Sequence, residues 1–217
     1  MNYSELTQAI QDYCENDETT FVTNIPRFIQ QAEERIARAT MIPELRKNVT
    51  GTITSGNRYL ARPADFLTPF SIAVVDDDGD YYYLLDKDVN FIREAYPNTT
   101  TTGRPKYYAQ FSGDDPTSGS EGFFIVGPTP DQNYTVELYY YYEPESIVDS
   151  TTSWFGEHAE TALLYGCLVE AYTFMKGDPD IMELYMARYT EAMGGLGVIA
   201  ARSTRDDYRD GRLKMRR

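Results

Sequence analysis

Residues 154–176 contain ALLYGCLVEAYTFM, a run that is apolar nearly all the way round a helix. A helix with no face to give to water has to be surrounded, so the rest of the chain must supply the elements that cover it. The pattern predicts one continuous helix from Trp154 to Lys176, with Gly177 as the C′ residue that ends it. Asp178-Pro179 then restarts a helix with a cap and a first-turn proline. That last helix carries Ile181, Leu184, Tyr185, Tyr189 and Met193, and the run Gly194-Gly195-Leu196-Gly197 weakens it.

Two further helices lie at the other end of the chain. The first is expected from Glu5 to Glu15 after a Ser4 cap, burying Leu6, Ile10, Tyr13 and Cys14 at i, i+4, i+7 and i+8. The second is read from TNIPRFIQQAEERIARATMIPELRKN, with Asn24 as N-cap and Pro26 in the first turn. Ile25, Phe28, Ile29, Ala32, Ile36 and Ala39 form one apolar stripe, and Glu34 and Arg38 pair on the wet face. Pro43 pushes Ile42 out of the helical region and ends the element.

Between these helical pairs the pattern changes to short β segments punctuated by Gly, Pro, Asp and Asn. VTGTIT, RYL, DFLTPFSIAVV, YYYLL, KYYAQFS, GFFIVG and YTVELYYYYE read as strands, and DKDVNFIREAY reads as a short helix. DDDGD is a hairpin turn, and GDDPTSGSE is a polar loop. The expected fold class is α+β, a four-helix bundle from both termini with an inserted β-rich lobe. Its divisions are 1–48 and 151–201 for the bundle, 49–150 for the lobe and 202–217 for a basic tail.

Composition argues for a folded chain, with 14% aromatic residues and 19 tyrosines among 217 residues. Cys14 and Cys167 both fall in helical apolar patterns and read as buried, reduced thiols, which fits assembly in a reducing cytoplasm. The opening MNYSELTQAIQDYCE has acids and no basic n-region, so no signal peptide is expected, and no apolar run approaches a membrane span. The net charge of −14 conceals a segregation. From Arg202 onward seven basic and three acidic residues give +4, which leaves −18 on the rest. An acidic body repels nucleic acid in bulk, while a basic tail can dock on an acidic partner.

Catalytic chemistry finds no support. His158 is the one histidine and has no second nitrogen ligand in zinc spacing. Neither cysteine has a basic neighbour to activate it, and Ser120 in GSEG is not a nucleophile elbow. Asp76, Asp78 and Asp80 begin like a calcium loop, but Tyr81 and Lys87 stand where glycine and glutamate are required. No feature selects two of the 34 acids as a glycosidase pair.

The tyrosine clusters are the remaining signal: Tyr81 to Tyr83, Tyr107-Tyr108 and Tyr139 to Tyr142. Consecutive tyrosines in a strand place rings on both faces, so one face packs inward and the other meets a partner. Base stacking is the rival use, but it needs a basic groove and these strands lie in the acidic part of the chain. The interface candidates are Tyr81, Tyr83, Tyr107, Tyr139, Tyr140, Tyr141 and Tyr142.

NYSELTQAIQDYCEN, IPRFIQQAEERI, RPADF, VGPTPDQNYTVELYYYYEP, LLYGCLVEAYTFM, the KGDPD that follows LVEAYTFM, and MELYMARYTEAM resemble, in order, the portal-adaptor proteins of short-tailed bacteriophages, also called head-to-tail connectors. The resemblance implies a helical bundle with a β-rich insertion and a dodecameric ring between portal and tail nozzle. It also implies C-terminal docking on the portal protein, here through Arg202, Arg205, Arg209, Arg212, Leu213, Lys214, Met215, Arg216 and Arg217. On that reading the protein is a non-enzymatic structural component of the virion neck, needs no cofactor or metal, touches no membrane and meets DNA only as passing cargo. A tail-completion or neck protein is the near alternative. A virion-associated peptidoglycan hydrolase and a cell-binding module are the distant ones.

Overall fold

Within the computed structural model of the chain, residues 1–39, 41–111 and 122–203 are described, with side chains to residue 198. The described residues form an α+β structure of six α-helices and two β-sheets. They divide into two compact units, Met1–Leu45 with Glu143–Arg217, and Arg46–Tyr142.

In the helical unit, α1 (Tyr3–Cys14) starts two residues before the sequence reading places it. Asn2, not Ser4, is the cap: its side chain accepts from Glu5 N, and Glu5 returns a bond to Asn2 N, forming a capping box. Leu6 and Ile10 are buried, whereas Tyr13 is exposed and Cys14 half-buried, so the buried stripe is narrower than expected.

The second helix, α2 (Thr19–Ala39), corrects the expectation for Asn24 and Pro26, which lie inside it. Asn16 Oδ1 receives Glu18 N just upstream, and the Asn24 amide donates to Thr20 O instead of capping. The extra turns bury Phe21 against Phe28 and Phe174, at ring separations of 5.9 and 6.5 Å. Full burial of such a ring contributes about 1.5–3 kcal/mol. That gain offsets much of the roughly 3 kcal/mol an interior proline costs. Ile25, Phe28, Ile29, Ala32 and Ile36 are buried as the spacing predicts, but Ala39 at the last position is exposed. Glu34 and Arg38 form the expected i,i+4 ion pair.

The long apolar helix is two helices, α4 (Trp154–His158) and α5 (Glu160–Met175), separated by Ala159 at φ −133°, ψ 32°. The break lies where the first residues of the chain dock, Met1 N donating to Gly156 O and Tyr3 N to Thr151 O. As its composition demands, α5 is enclosed: it packs against α1, α2, α4 and α6 (Pro179–Ser203). The left-handed residue ending α5 is Lys176, not Gly177. Lys176 N bonds Thr173 O and Gly177 N bonds Tyr172 O, the Schellman pattern. Gly177 is needed for another reason, since a Cβ there would lie 2.5 Å from Tyr172 Cδ1.

α6 also runs through Gly194, Gly195 and Gly197, which the sequence reading takes as a weak point. A Cβ added at any of the three meets nothing within 4 Å. Replacing them together with alanine should therefore raise the melting temperature, each contributing up to about 1 kcal/mol. Thermal unfolding of the triple variant checks this, and an unchanged or lower midpoint would mean that another surface needs the glycines bare.

In the β unit, β1 (Arg46–Ile53), β8 (Tyr134–Tyr142), β3 (Phe66–Val75) and β4 (Tyr81–Tyr83) make one sheet in the order β1-β8-β3-β4, antiparallel throughout. The second sheet is β2-β7-β6-β5, from β2 (Tyr59–Ala61), β7 (Phe123–Gly127), β6 (Tyr107–Phe111) and β5 (Leu85–Asp86), its last pair parallel. The sheets share a core of Ile53, Ile72, Val74, Phe124, Val126, Val136, Leu138 and Tyr140. Behind the second sheet, α3 (Val89–Ala95) packs Ile92 on Ala109 and Ile125. The turn before β4 is a local Asp turn: Asp76 Oδ1 accepts from Asp78 N and Asp80 N, and Gly79 takes φ +87°. The polar loop read from GDDPTSGSE lies outside the described residues.

Candidate interaction surfaces

Alternation along β8 sorts its tyrosines. Tyr134, Val136, Leu138, Tyr140 and Tyr142 point toward the core shared by the sheets, and Glu137, Tyr139 and Tyr141 point the other way. Tyr140 is 3% exposed and donates to Asp65 at 2.7 Å, while Lys47 Nζ holds the second oxygen of Asp65 at 2.6 Å. Burial and then the Asp65 bond push the Tyr140 hydroxyl up, so it remains a donor. Tyr141, on the outward face, is nonetheless buried: Arg46 Nη2 donates to its hydroxyl at 2.8 Å and the Arg46 guanidinium lies over Phe70 and Tyr141 at 4.0 and 5.0 Å. Period-two reasoning misses this, because the covering side chains come from β1 and β3.

Of the seven interface tyrosines, Tyr140 and Tyr141 are therefore used within the unit. Tyr142 is half-buried under Lys47 at 4.0 Å, and Tyr107 is half-buried beside Phe91 and Tyr96. Tyr81, Tyr83 and Tyr139 are exposed on the outer face of the first sheet. Glu137 lies among them, accepting from Tyr81 Oη and Asn48 Nδ2, each at 3.1 Å. Serine at Tyr139, which loses a ring contact with Phe70 at 5.9 Å, should cost only about 1 kcal/mol. Serine at Tyr140 should cost about 3 kcal/mol, through a cavity and an orphaned Asp65. Denaturant titration of the two variants separates them, and equal losses would mean that the outward face is covered as well.

The basic tail from Arg205 to Arg217 lies outside the described residues, and Arg202 falls in the last turn of α6. In the helical unit, a groove of about 560 Å³ runs between the α4–α5 break and α6, lined by His158, Tyr165, Arg188, Glu191 and Gly195. His158 stacks on Trp154 at 5.2 Å, and Glu191 is paired with Arg188 at 3.2 Å. Burial pushes the Cys14 thiol up to about 11 and Cys167 well above its ordinary value, opposite to what a nucleophile needs. Among the described residues no group of three or more His, Cys, Asp or Glu is arranged to hold a metal, and no helix is long and apolar enough to cross a membrane.

The residue that sequence reasoning passed over is Glu33, 6% exposed on α2. Its carboxylate accepts from Ser146 Oγ at 2.6 Å, Ile147 N at 3.1 Å and Ser153 Oγ at 3.1 Å. Ser153 is in turn the N-cap of α4, accepting from Gly156 N. One buried carboxylate thus pins the segment that follows β8 and the start of the next helix. Its position was the available signal, four residues after Ile29 and three before Ile36, on the buried side of an otherwise apolar stripe.

Comparison with known families decides the identity, because one family model, described as SU10 adaptor protein, matches residues 1–216. The chain belongs to the SU10 adaptor protein family. No curated protein matches it. Membership makes this a structural adaptor protein of a bacteriophage and a component of the virion, in agreement with the head-to-tail adaptor resemblance. An adaptor of this family associates with other virion components.

Proposed function

We propose that this adaptor forms a closed homo-oligomeric ring, a dodecamer by family resemblance, that joins the portal to the tail nozzle and forms part of the DNA conduit. The helical unit, Met1–Leu45 with the residues from Glu143 onward, would serve as its body, with Arg46–Tyr142 as the inserted lobe and 202–217 as the portal-docking tail. The observation that carries this reading is the family match over 216 residues, supported by the +4 charge of the C-terminal segment against −18 elsewhere. A negatively charged wall does not trap passing DNA, which suits a conduit. The reading assigns no catalysis, cofactor or metal, and treats DNA as cargo. Assembly takes place in the host cytoplasm and the ring resides in the neck of the virion.

The contact surfaces left to such a ring are small. The exposed tyrosines of the outer sheet face are candidates for subunit or nozzle contacts, and no extended apolar seam accompanies them among the described residues. Heterologous contacts of that size close efficiently only when a template raises the local concentration. The isolated protein should therefore sediment mainly as a monomer at micromolar concentration and form a closed ring only with portal protein present. Sedimentation velocity with and without portal tests the proposal. A stable ring without portal would overturn the template requirement, and no complex with portal would overturn the adaptor assignment.

A further inference from the structure

The β unit repeatedly seats a cation over an aromatic ring. Arg104 lies 3.4 Å from the Tyr82 centroid, Arg46 4.0 Å from Phe70, Lys47 4.0 Å from Tyr142, and Arg62 5.2 Å from Phe66. On the outer face of the first sheet the rings of Tyr81 and Tyr139 carry no such cation among the described residues, although both are exposed. Between them Glu137 offers a carboxylate, and Asp76, Asp77, Asp78 and Asp80 stand just before β4. A flat aromatic surface edged by carboxylates is the environment that a guanidinium satisfies in both ways, by stacking on the ring and by bonding the acid.

The one strongly basic segment of the sequence is its own C-terminus. Residues 204–217 contain Arg205, Arg209, Arg212, Lys214, Arg216 and Arg217, so cations recur at one- to four-residue intervals. Fourteen residues reach at most about 46–50 Å when extended. We propose that the C-terminal segment of one copy docks on the Tyr81–Glu137–Tyr139 face of a second copy, as a weak, salt-sensitive contact between adaptor molecules. The occupant follows from charge complementarity, and a second copy supplies it in a heterologous sense, tail to face, which can propagate around a ring. A portal and a neighbouring adaptor then compete for the same segment.

Site-specific photo-crosslinking in the full-length protein tests this. A benzophenone side chain is placed at Tyr81 or Tyr139, with Tyr59 on the second sheet as an equally exposed control. A mixture of isotopically heavy and light protein is irradiated at low salt, and the cross-linked peptides are identified by mass. The expected result is heavy-to-light links from positions 81 and 139 to peptides within 204–217, at least about fivefold more abundant than from position 59 and suppressed in 0.5 M salt. Links only within one isotope would assign the face to the chain's own tail and overturn the proposal. Equal yield from position 59 would reduce the effect to diffuse attraction by an acidic body, and links to a different segment would give the face another occupant. Either result rejects it. In parallel, full-length protein carrying Tyr81→Ser, Tyr139→Ser and Glu137→Gln should lose about fivefold in self-association measured by sedimentation equilibrium, and an unchanged constant rejects the contact. Portal binding is measured separately, so failure here leaves the adaptor assignment standing.

Discussion

Truncation after Ala201 should abolish portal binding while leaving the helical and β-unit circular dichroism unchanged. The residues removed carry seven cations and three acids, with Leu213 and Met215 alternating with Arg212, Lys214 and Arg216. An extended segment with that alternation presents apolar residues on one side and cations on the other, the arrangement used in strand addition to a partner. A single exposed ion pair contributes only about 0.2–1 kcal/mol, so replacing one arginine should weaken binding modestly. Loss of the whole segment removes every pair together and the steering that their combined charge provides. In an infection, the truncated gene should yield DNA-filled heads without tails. If truncated protein docked on portal with unchanged affinity and salt dependence, the portal contact would have to lie in the helical unit.

Replacing Glu33 with alanine should destabilise the helical unit by about 3 kcal/mol or more, because a buried backbone donor and two hydroxyls lose their shared acceptor. Glutamine retains an acceptor for Ile147 N and a donor for Ser146, so Glu33→Gln should cost less than about 1 kcal/mol. The pH dependence distinguishes these further. Burial raises the Glu33 carboxyl above its ordinary value against the three hydrogen bonds that lower it, and the nearby Asp149 carboxylate adds to the rise. The folded chain therefore holds this proton more tightly than the unfolded chain. Its contribution to stability is full below the unfolded carboxyl value and falls as pH rises through the raised folded value. The glutamine variant should lack that part of the slope. Denaturant titrations from pH 4 to 8 measure both effects, and a glutamine variant as damaged as the alanine one would show that the charge itself, not the hydrogen-bond acceptor, holds the segment.

Several parts of this architecture were legible because they depend on local pattern. The apolar run of α5 requires enclosure by other helices, and α1, α2, α4 and α6 supply it. The strands fall where β-branched and aromatic residues alternate between turn residues, and β8 keeps its period of two from Tyr134 to Tyr140. The Asp-Gly turn before β4 forms from its own side chain and backbone bonds. Family resemblance was also readable from the ordered segments, since it rests on residues alone.

What the tertiary structure decided lies where a distant group overrode the local rule. Pro26 reads as a helix start, yet burial of Phe21 against Phe28 and Phe174 draws the helix back to Thr19. Gly177 reads as the left-handed terminator, yet the Tyr172 ring claims its bare Cα and Lys176 takes the positive φ. Tyr141 reads as surface, yet Arg46 and Phe70 from neighbouring strands close over it. Glu33 reads as one more acid on a helix, and becomes a buried pin only because Ser146, Ile147 and Ser153, more than 110 residues away, bring their donors to it. Helix period, strand alternation and turn chemistry are set within a few residues, so the sequence by itself determined them. Which side chains end up covered, and which polar groups share a buried partner, depends on contacts between segments far apart in the chain, and only the assembled fold brings those together.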